Sequence, residues 1–108
     1  MTMAAKIARC AVCNVNASDT RPSDDGNSAI PVCEPCGHIL DTHRLVKQAE
    51  TMFGSRDAVR CAVKADEASK LAMRTAWTGR QINMAFSARF LATKTRDAAG
   101  KAASRHAA

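Results

Sequence analysis

The sequence predicts a mainly α-helical protein, in which a small cysteine-containing N-terminal module precedes a helical hairpin packed through alanine-rich faces. Three observations predict this class. Two C-x2-C pairs lie near the start of the 108-residue chain. Leu, Ile, Val and Phe number only 17 together, against 22 alanines. Small residues recur at heptad spacing in the second half. A domain this short of large apolar side chains usually needs a metal, disulfides or a partner.

The two cysteine pairs predict a metal site. Cys10 and Cys13 form the first pair, and Cys33 and Cys36 form the second, nineteen residues further on. Two such pairs supply the closed tetrahedral shell of thiolates that structural zinc prefers, and they leave no open position for a catalytic water. Redox-active Cys-x-x-Cys motifs are the alternative, but they need a βαβ framework, and no such alternation is visible. We therefore predict a structural Zn²⁺.

The residues around these pairs predict the order of secondary-structure elements. Asn14 tolerates the left-handed conformation needed where the chain turns back after the first pair. Residues 14–29 are rich in Asp, Ser, Asn, Pro and Gly, which predicts turn and loop. A short strand over 29–32 then leads into Cys33. A helix is predicted from Cys36, where the helix dipole would favour thiolates.

This order of cysteine turn, loop, short strand and second pair at a helix start resembles the treble-clef zinc fingers. Within them, CAVC and PVCEPCG look most like the GATA-type pattern, whose second pair also runs Cys-x-x-Cys-Gly into a helix. The resemblance covers roughly residues 9–53. The metal ligands that it implies are Cys10, Cys13, Cys33 and Cys36. GATA fingers carry a Trp and basic residues between the pairs, whereas this loop is acidic, so the resemblance implies zinc and not DNA reading by the loop.

The first helix is predicted to run to Phe53. Gly54 is suited to end it, and Ser55 is suited to cap the next helix. Its expected buried stripe is Ile39, Val46, Ala49 and Phe53. We accordingly divide the chain into a zinc-binding module with its helix (1–54), a basic helical hairpin (55–99) and a flexible basic tail (100–108).

Two rows of small residues, termed here the seams, predict close helix packing in the hairpin. The first seam is Ala58, Ala62, Ala65, Ser69, Ala72 and Ala76. The second seam is Ala85, Ala88, Ala92, Thr95 and Ala99. We predict an antiparallel pair, with the turn near Gly79 and a capping box between Thr78 and Gln81. One long kinked helix that finds its partner in a second chain is the alternative, and it leaves monomer or homodimer open.

The remaining candidate residues are given structural predictions. Trp77 is predicted as a core wedge between the helices, with a nucleobase platform as the alternative. Few exposed aromatic side chains are expected. Cys61 is predicted to pack inertly. His38 and His43 are predicted to be solvated or bonded to the backbone rather than to a metal.

The charge distribution suggests a function for the second half. The net charge of +6 divides into −1 for residues 1–54 and +7 for residues 55–108. The candidate nucleic-acid contacts are Arg56, Arg60, Lys64, Lys70, Arg74 and Arg80. Cations at helical spacing predict phosphate contacts, and we expect a small regulatory protein that binds duplex DNA. The alternative is a protein-interaction module or regulator docking on a larger acidic or nucleic-acid-handling machine.

Other classes of protein are disfavoured. No Gly-rich phosphate loop, metalloprotease motif or local Ser/His/Asp signature is present, so we predict no enzyme activity. No apolar stretch is long enough for a secretory leader or a membrane span. We therefore expect no membrane partner and a reducing, intracellular location, cytoplasmic or nuclear, where thiols stay reduced and favour a metal over disulfides.

Overall fold

The computed structural model describes residues 8–107, which form one small sheet and three helices. In chain order these are strands β1 (Asp19–Pro22) and β2 (Ala29–Val32), then helices α1 (Glu34–Glu50), α2 (Arg56–Thr75) and α3 (Gly79–Ala107). The strands form an antiparallel hairpin in which Asp19 pairs with Val32 and Pro22 with Ala29. The predicted mainly helical class is confirmed.

The N-terminal segment folds back on itself as predicted. Asn14 has a φ of 66°, and its N–H donates to the carbonyl of Cys10 at 3.0 Å. The N–H of Ala11 reaches the carbonyl of Pro31 at 2.9 Å, which ties this turn to β2. The predicted strand over 29–32 is confirmed. Its partner β1 lies in the polar stretch that was predicted as loop, because its polar composition concealed a strand that is stabilised by pairing.

Helix α1 differs from its predicted bounds at both ends. It begins at Glu34, with Cys33 as the N-cap residue and Pro35 in the first turn, where a fixed φ and a missing N–H suit a helix start. It ends at Glu50 rather than Phe53. Phe53 lies in the following turn and is 41% exposed, so its predicted place in the buried stripe is wrong. The predicted cap of α2 is confirmed, because the Oγ of Ser55 accepts a hydrogen bond from the backbone N–H of Ala58, the third residue of the new helix.

The three helices pack as a bundle with small residues at its centre. Three layers follow one another away from the N-terminal module: Ile39 with Ala72, Ala85 and Ala88; Val46 with Ala65 and Ala92; Ala49 with Ala62 and Ala99. Residue numbers rise along α1 and α3 but fall along α2, so α2 runs antiparallel to both neighbours. Every residue of the two seams is buried except Ala76, which is half-buried at the end of α2. The predicted antiparallel hairpin is therefore present, and the single long helix is not.

The hairpin turn also matches its prediction. The N–H of Gln81 donates to the Oγ1 of Thr78 at 3.1 Å, and the N–H of Thr78 donates to the Oε1 of Gln81 at 3.0 Å. This reciprocal pair is a capping box, and it begins α3. The predicted flexible tail (100–108) is instead helical as far as Ala107, because its alanines favour helix and Gly100 alone does not break it.

All four aromatic residues of the chain lie on the surface, which contradicts two predictions. Trp77 is 67% exposed and is not a wedge in the core. Phe86 and Phe90 are 59% and 74% exposed. The reason is steric, since alanine seams bring the helix axes close together and leave no space for a ring between them. Trp77 instead lies in the turn between α2 and α3, with most of its side chain exposed to solvent.

The molecule is a thin, elongated body. Its extents are 67 × 31 × 14 Å and its radius of gyration is 16.1 Å, against about 13 Å for a compact chain of this length. Within residues 8–107, no helix combines the length and apolar character needed to cross a membrane. The cysteine turn and the strand hairpin (residues 8–33) occupy the end where α1 and α3 begin and α2 finishes.

Candidate functional site

The four cysteines of the two C-x2-C pairs meet at one point. The Sγ atoms of Cys10, Cys13, Cys33 and Cys36 all lie within 4.8 Å of one another. Cys10 and Cys13 come from the N-terminal turn, Cys33 is the N-cap residue of α1, and Cys36 lies in its first turn. Cys13 is half-buried and the other three are buried.

The donor set fits a metal ion. A tetrahedral zinc with bonds of about 2.3 Å to sulfur places the sulfurs about 3.8 Å apart, and Cys13 and Cys33 are 3.5 Å apart at Sγ. All five cysteines of the chain lie among the described residues, and all are free thiols. Four thiolates in a closed shell favour zinc over harder divalent cations. The residues therefore could hold one structural metal ion.

The thiols differ in how readily they lose a proton. Burial acts to raise the pKa of Cys10, but hydrogen bonds with the backbone at Cys13, Cys33 and Val12 outweigh it and lower that pKa to about 6. Burial raises the pKa of both Cys33 and Cys36 above the ordinary thiol value. A bound cation would offset that cost of burying thiolates, so metal binding and proton release are coupled at this site.

Arg21 fixes the strand hairpin against the helix that carries the second cysteine pair. Its guanidinium donates to both carboxylate oxygens of Asp41 on α1, at 2.8 and 3.1 Å, and to Asp19 at 2.8 Å. A Cβ on Gly37 would lie 3.0 Å from the Nη2 of Arg21 and 3.3 Å from Val32. The glycine after Cys36 thus makes room for this arginine. Arg21, the only cation of the acidic loop, is engaged within the fold.

Gln81 reaches the metal site from α3, and its role there was missed from the sequence. Its Nε2 lies 3.4 Å from the Sγ of Cys33 and 3.6 Å from the Sγ of Cys13. The side chain is fully buried. A side chain buried in this way is not accessible to a nucleic-acid base. The capping-box motif predicted its backbone position, but no local signal points to sulfurs 48 and 68 residues away.

A buried carboxylate joins α2 to α3 and was also missed. Asp66 is 4% exposed. It accepts hydrogen bonds from Arg89 and from Arg96, the latter at 2.8 Å, and the Nζ of Lys70 lies 3.4 Å away. Burial acts to raise the pKa of Asp66, but Arg89, then Arg96 and Lys70, outweigh it and lower that pKa. One carboxylate faces three cations, so this cluster keeps two excess positive charges.

The predicted nucleic-acid contacts fall into two places. The basic row, defined as Arg56, Arg60, Lys64, Lys70 and Arg74, lies on the exposed face of α2. Acidic side chains accompany this row: Arg60 pairs with exposed Asp57 at 3.3 Å, and Lys70 shares Asp66. Exposed Glu67 also lies within the row, three residues from both Lys64 and Lys70. Arg80 is exposed but separate, in the first turn of α3.

Two histidines of α1, His38 and His43, and the fifth cysteine take no part in the four-sulfur cluster. Among residues 8–107, the group with metal-binding spacing contains the four cysteines alone. His38 is half-buried and His43 is exposed. Cys61 packs beside Ala49, Ala62 and Ala99, as predicted for an inert thiol.

Comparison with known proteins found no relative of this chain. No family model, no curated protein and no solved structure matches the chain.

Proposed function

We propose that the chain is a zinc-stapled, duplex-DNA-binding regulatory protein, in which the basic row of α2 contacts the phosphate backbone. The zinc part is supported by the four clustered sulfurs. The order of cysteine turn, strand hairpin and helix bearing the second pair supports a treble-clef type of module. In this proposal the zinc ion has a structural role, since four thiolate ligands leave no coordination position for substrate or water.

The observation that carries the DNA part is the length and exposure of the basic row. From Arg56 to Arg74 it covers 18 helical rises, about 27 Å, which matches about 8 base pairs of duplex. The exposed pair between Arg60 and Asp57 weakens this surface little, because such ion pairs are worth at most about 1 kcal/mol and exchange readily. The excess charge beside Lys70 adds to the same side of the hairpin.

A salt series on the zinc-loaded protein tests this proposal. Fluorescence anisotropy with a labelled mixed-sequence duplex should show binding whose logarithm falls linearly with the logarithm of salt concentration. Five phosphate contacts predict a slope of about −4 to −5. Lys64→Glu should weaken binding and flatten the slope. Lys47→Glu, the same change on the exposed face of α1, is the matched control. Absence of binding at low salt, or equal losses in both variants, would contradict the proposal.

A second candidate, docking on an acidic partner protein, is favoured by one observation. The aromatic surface, defined as Trp77, Ile82, Phe86 and Phe90, is exposed although the core is short of large apolar groups. Exposed apolar patches of this kind mark interaction sites. The cations within a helical turn of these side chains are Arg74, Arg89 and Lys94. An apolar surface with a basic rim is complementary to an amphipathic, acidic protein segment.

The two candidates respond differently to the same variants. Replacing Phe86 and Phe90 by serine leaves phosphate contacts intact, so DNA affinity should not change if the aromatic surface serves a protein partner. If the surface docks a protein, an acidic protein that binds wild type should fail to bind the double variant. Purified wild type and that partner should bind each other directly, with an affinity that depends on salt. If instead the double variant loses affinity for single-stranded DNA, the rings serve base stacking, and the docking proposal is wrong.

A further inference from the structure

Gln81 uses every hydrogen-bonding group of its side chain, and it does so between two parts of the molecule. Its Oε1 accepts the backbone N–H groups of Trp77 at 2.9 Å and Thr78 at 3.0 Å. Its Nε2 carries two hydrogens and faces the sulfurs of Cys33 and Cys13 at 3.4 and 3.6 Å. A glutamine amide offers two donors and two acceptor sites. All four are satisfied in a fully buried position.

The orientation of the amide is determined by its neighbours. The two backbone N–H groups can only donate, so they require the oxygen of Gln81 on their side. The nitrogen must then face the sulfurs. Thiolates that carry negative charge are the stronger acceptors for such N–H groups, and the thiols become thiolates when a metal binds. The position therefore suits the metal-loaded state of the four-cysteine site.

We propose that Gln81 is a positioning residue of the metal centre, which holds Cys13 and Cys33 by N–H···S hydrogen bonds and couples metal occupancy to the turn between α2 and α3. This coupling runs in both directions. The capping box fixes the amide so that it can meet the sulfurs, and the charged sulfurs fix the amide so that it can cap the turn. Trp77 lies in that turn, where its backbone N–H donates to the same amide.

The proposal does not depend on DNA or protein binding. It concerns how one side chain of α3 acts on ligands from the N-terminal module, a contact between segments that are distant in sequence. Failure of the basic row to bind a duplex would leave it untouched. Its test therefore uses the full chain with Zn²⁺, Co²⁺ or Cd²⁺ alone.

Gln81→Glu separates the two functions of this side chain. A glutamate still accepts the N–H groups of the turn, as in an ordinary capping box. It cannot donate the two N–H···S bonds, and it places negative charge against thiolates. Residues that support metal ligands in this way typically contribute 10- to 100-fold to metal affinity. We expect Zn²⁺ affinity, measured by competition with a chromophoric chelator, to fall by a factor in that range. The thiolate-to-Co²⁺ absorption bands should shift as well.

Two variants control for charge and for the cap. Gln48→Glu makes the same chemical change at an exposed position of α1, and its Zn²⁺ affinity should match wild type. Thr78→Val removes the hydroxyl that accepts the N–H of Gln81 and so weakens the cap, but it leaves both N–H groups of the Gln81 amide in place. Zn²⁺ affinity should therefore fall by much less than in Gln81→Glu, where both N–H···S bonds are lost. If Gln81→Glu binds Zn²⁺ as tightly as Gln48→Glu, or if Thr78→Val loses affinity to the same extent, the proposal is wrong.

A direct measurement on the wild-type chain keeps the proposal testable even if Gln81→Glu fails to fold. In protein loaded with a spin-half cadmium isotope, the side-chain amide protons of Gln81 should show scalar coupling to the metal through the N–H···S bonds. They should also exchange slowly with solvent. Absence of that coupling in well-resolved spectra would overturn the proposal.

Discussion

The two ends of this molecule are stabilised by different means. At the N-terminal end, the core consists of three buried cysteine side chains and Val32, with Val12, Val15 and Ile30 around them. Along the bundle, the core consists of alanines with single larger residues such as Ile39 and Val46. The first core is built around four thiols that could hold a metal ion, and the second depends on close approach of helix backbones. The comparison shows how a chain with few large apolar residues can fold, with Gln81 connecting the two ends.

The largest effect is expected from removing one ligand at the metal end. Cys33→Ser leaves an incomplete thiolate shell, and structural zinc sites contribute about 10 kcal/mol or more to folding. We expect most of the helicity to be lost, as measured by circular dichroism, and the same loss when a chelator is added to wild type. Cys61→Ser removes a thiol outside the cluster and should cost no more than about 1 kcal/mol. Unchanged helicity in Cys33→Ser would show that the bundle folds without the metal.

The next effect tests the close packing of the bundle. Ala65 is fully buried where α2 meets α1 and α3. Ala65→Leu adds three carbons where helices touch, and such overpacking costs about 3 kcal/mol. Urea denaturation of the zinc-loaded protein measures it. Glu67→Leu places the same side chain on the exposed face of α2 and should be nearly neutral. A neutral Ala65→Leu would mean that the helices can separate, and the comparison of the two cores would be wrong.

A smaller effect is expected at the ionic contact between α2 and α3. Asp66→Asn leaves Arg89 and Arg96 without their carboxylate and should cost about 2 kcal/mol at neutral pH. The pKa of Asp66 is lowered from 3.8. Its contribution is therefore complete above about pH 4, and is lost as the pH falls through the lower, folded-state pKa.

The difference in unfolding free energy between wild type and Asp66→Asn should therefore shrink on acidification below about pH 4. Asp57→Asn, which affects an exposed pair on the same helix, serves as the control, with an expected cost below about 1 kcal/mol. A difference that stays constant with pH would show that the Asp66 carboxylate is not ionised in the fold.

The smallest effect is expected on the aromatic surface. Phe86 and Phe90 are mostly exposed, so Phe86→Ala should change the free energy of unfolding by less than about 0.5 kcal/mol. Thermal and urea denaturation would measure the change. A loss above 1.5 kcal/mol, the range for a buried side chain, would place Phe86 in the stabilising core and would contradict its assignment to the aromatic surface.

The sequence predicted those features that depend on residues close together in the chain. The spacing of small residues predicted that both seams are buried between helices, and the Thr78 and Gln81 pair predicted where the hairpin turns. The four cysteines were predicted as a group from two short motifs. Trp77 was predicted in the core because aromatic residues usually lie there, whereas alanine seams leave no space for a ring between the helices. Gln81 and Asp66 were missed because their partners come from other elements, whose packing no local pattern specifies.

The alanine core has a consequence for how the fold responds to temperature. The heat capacity of unfolding grows with the apolar area that becomes exposed, and it is about 1.3 to 1.6 kcal/mol/K for an average chain of this length. A methyl-lined core, with the rings already in water, exposes less apolar area than average. We therefore expect the stability curve of this protein to be flatter than average, so that its stability changes less on cooling.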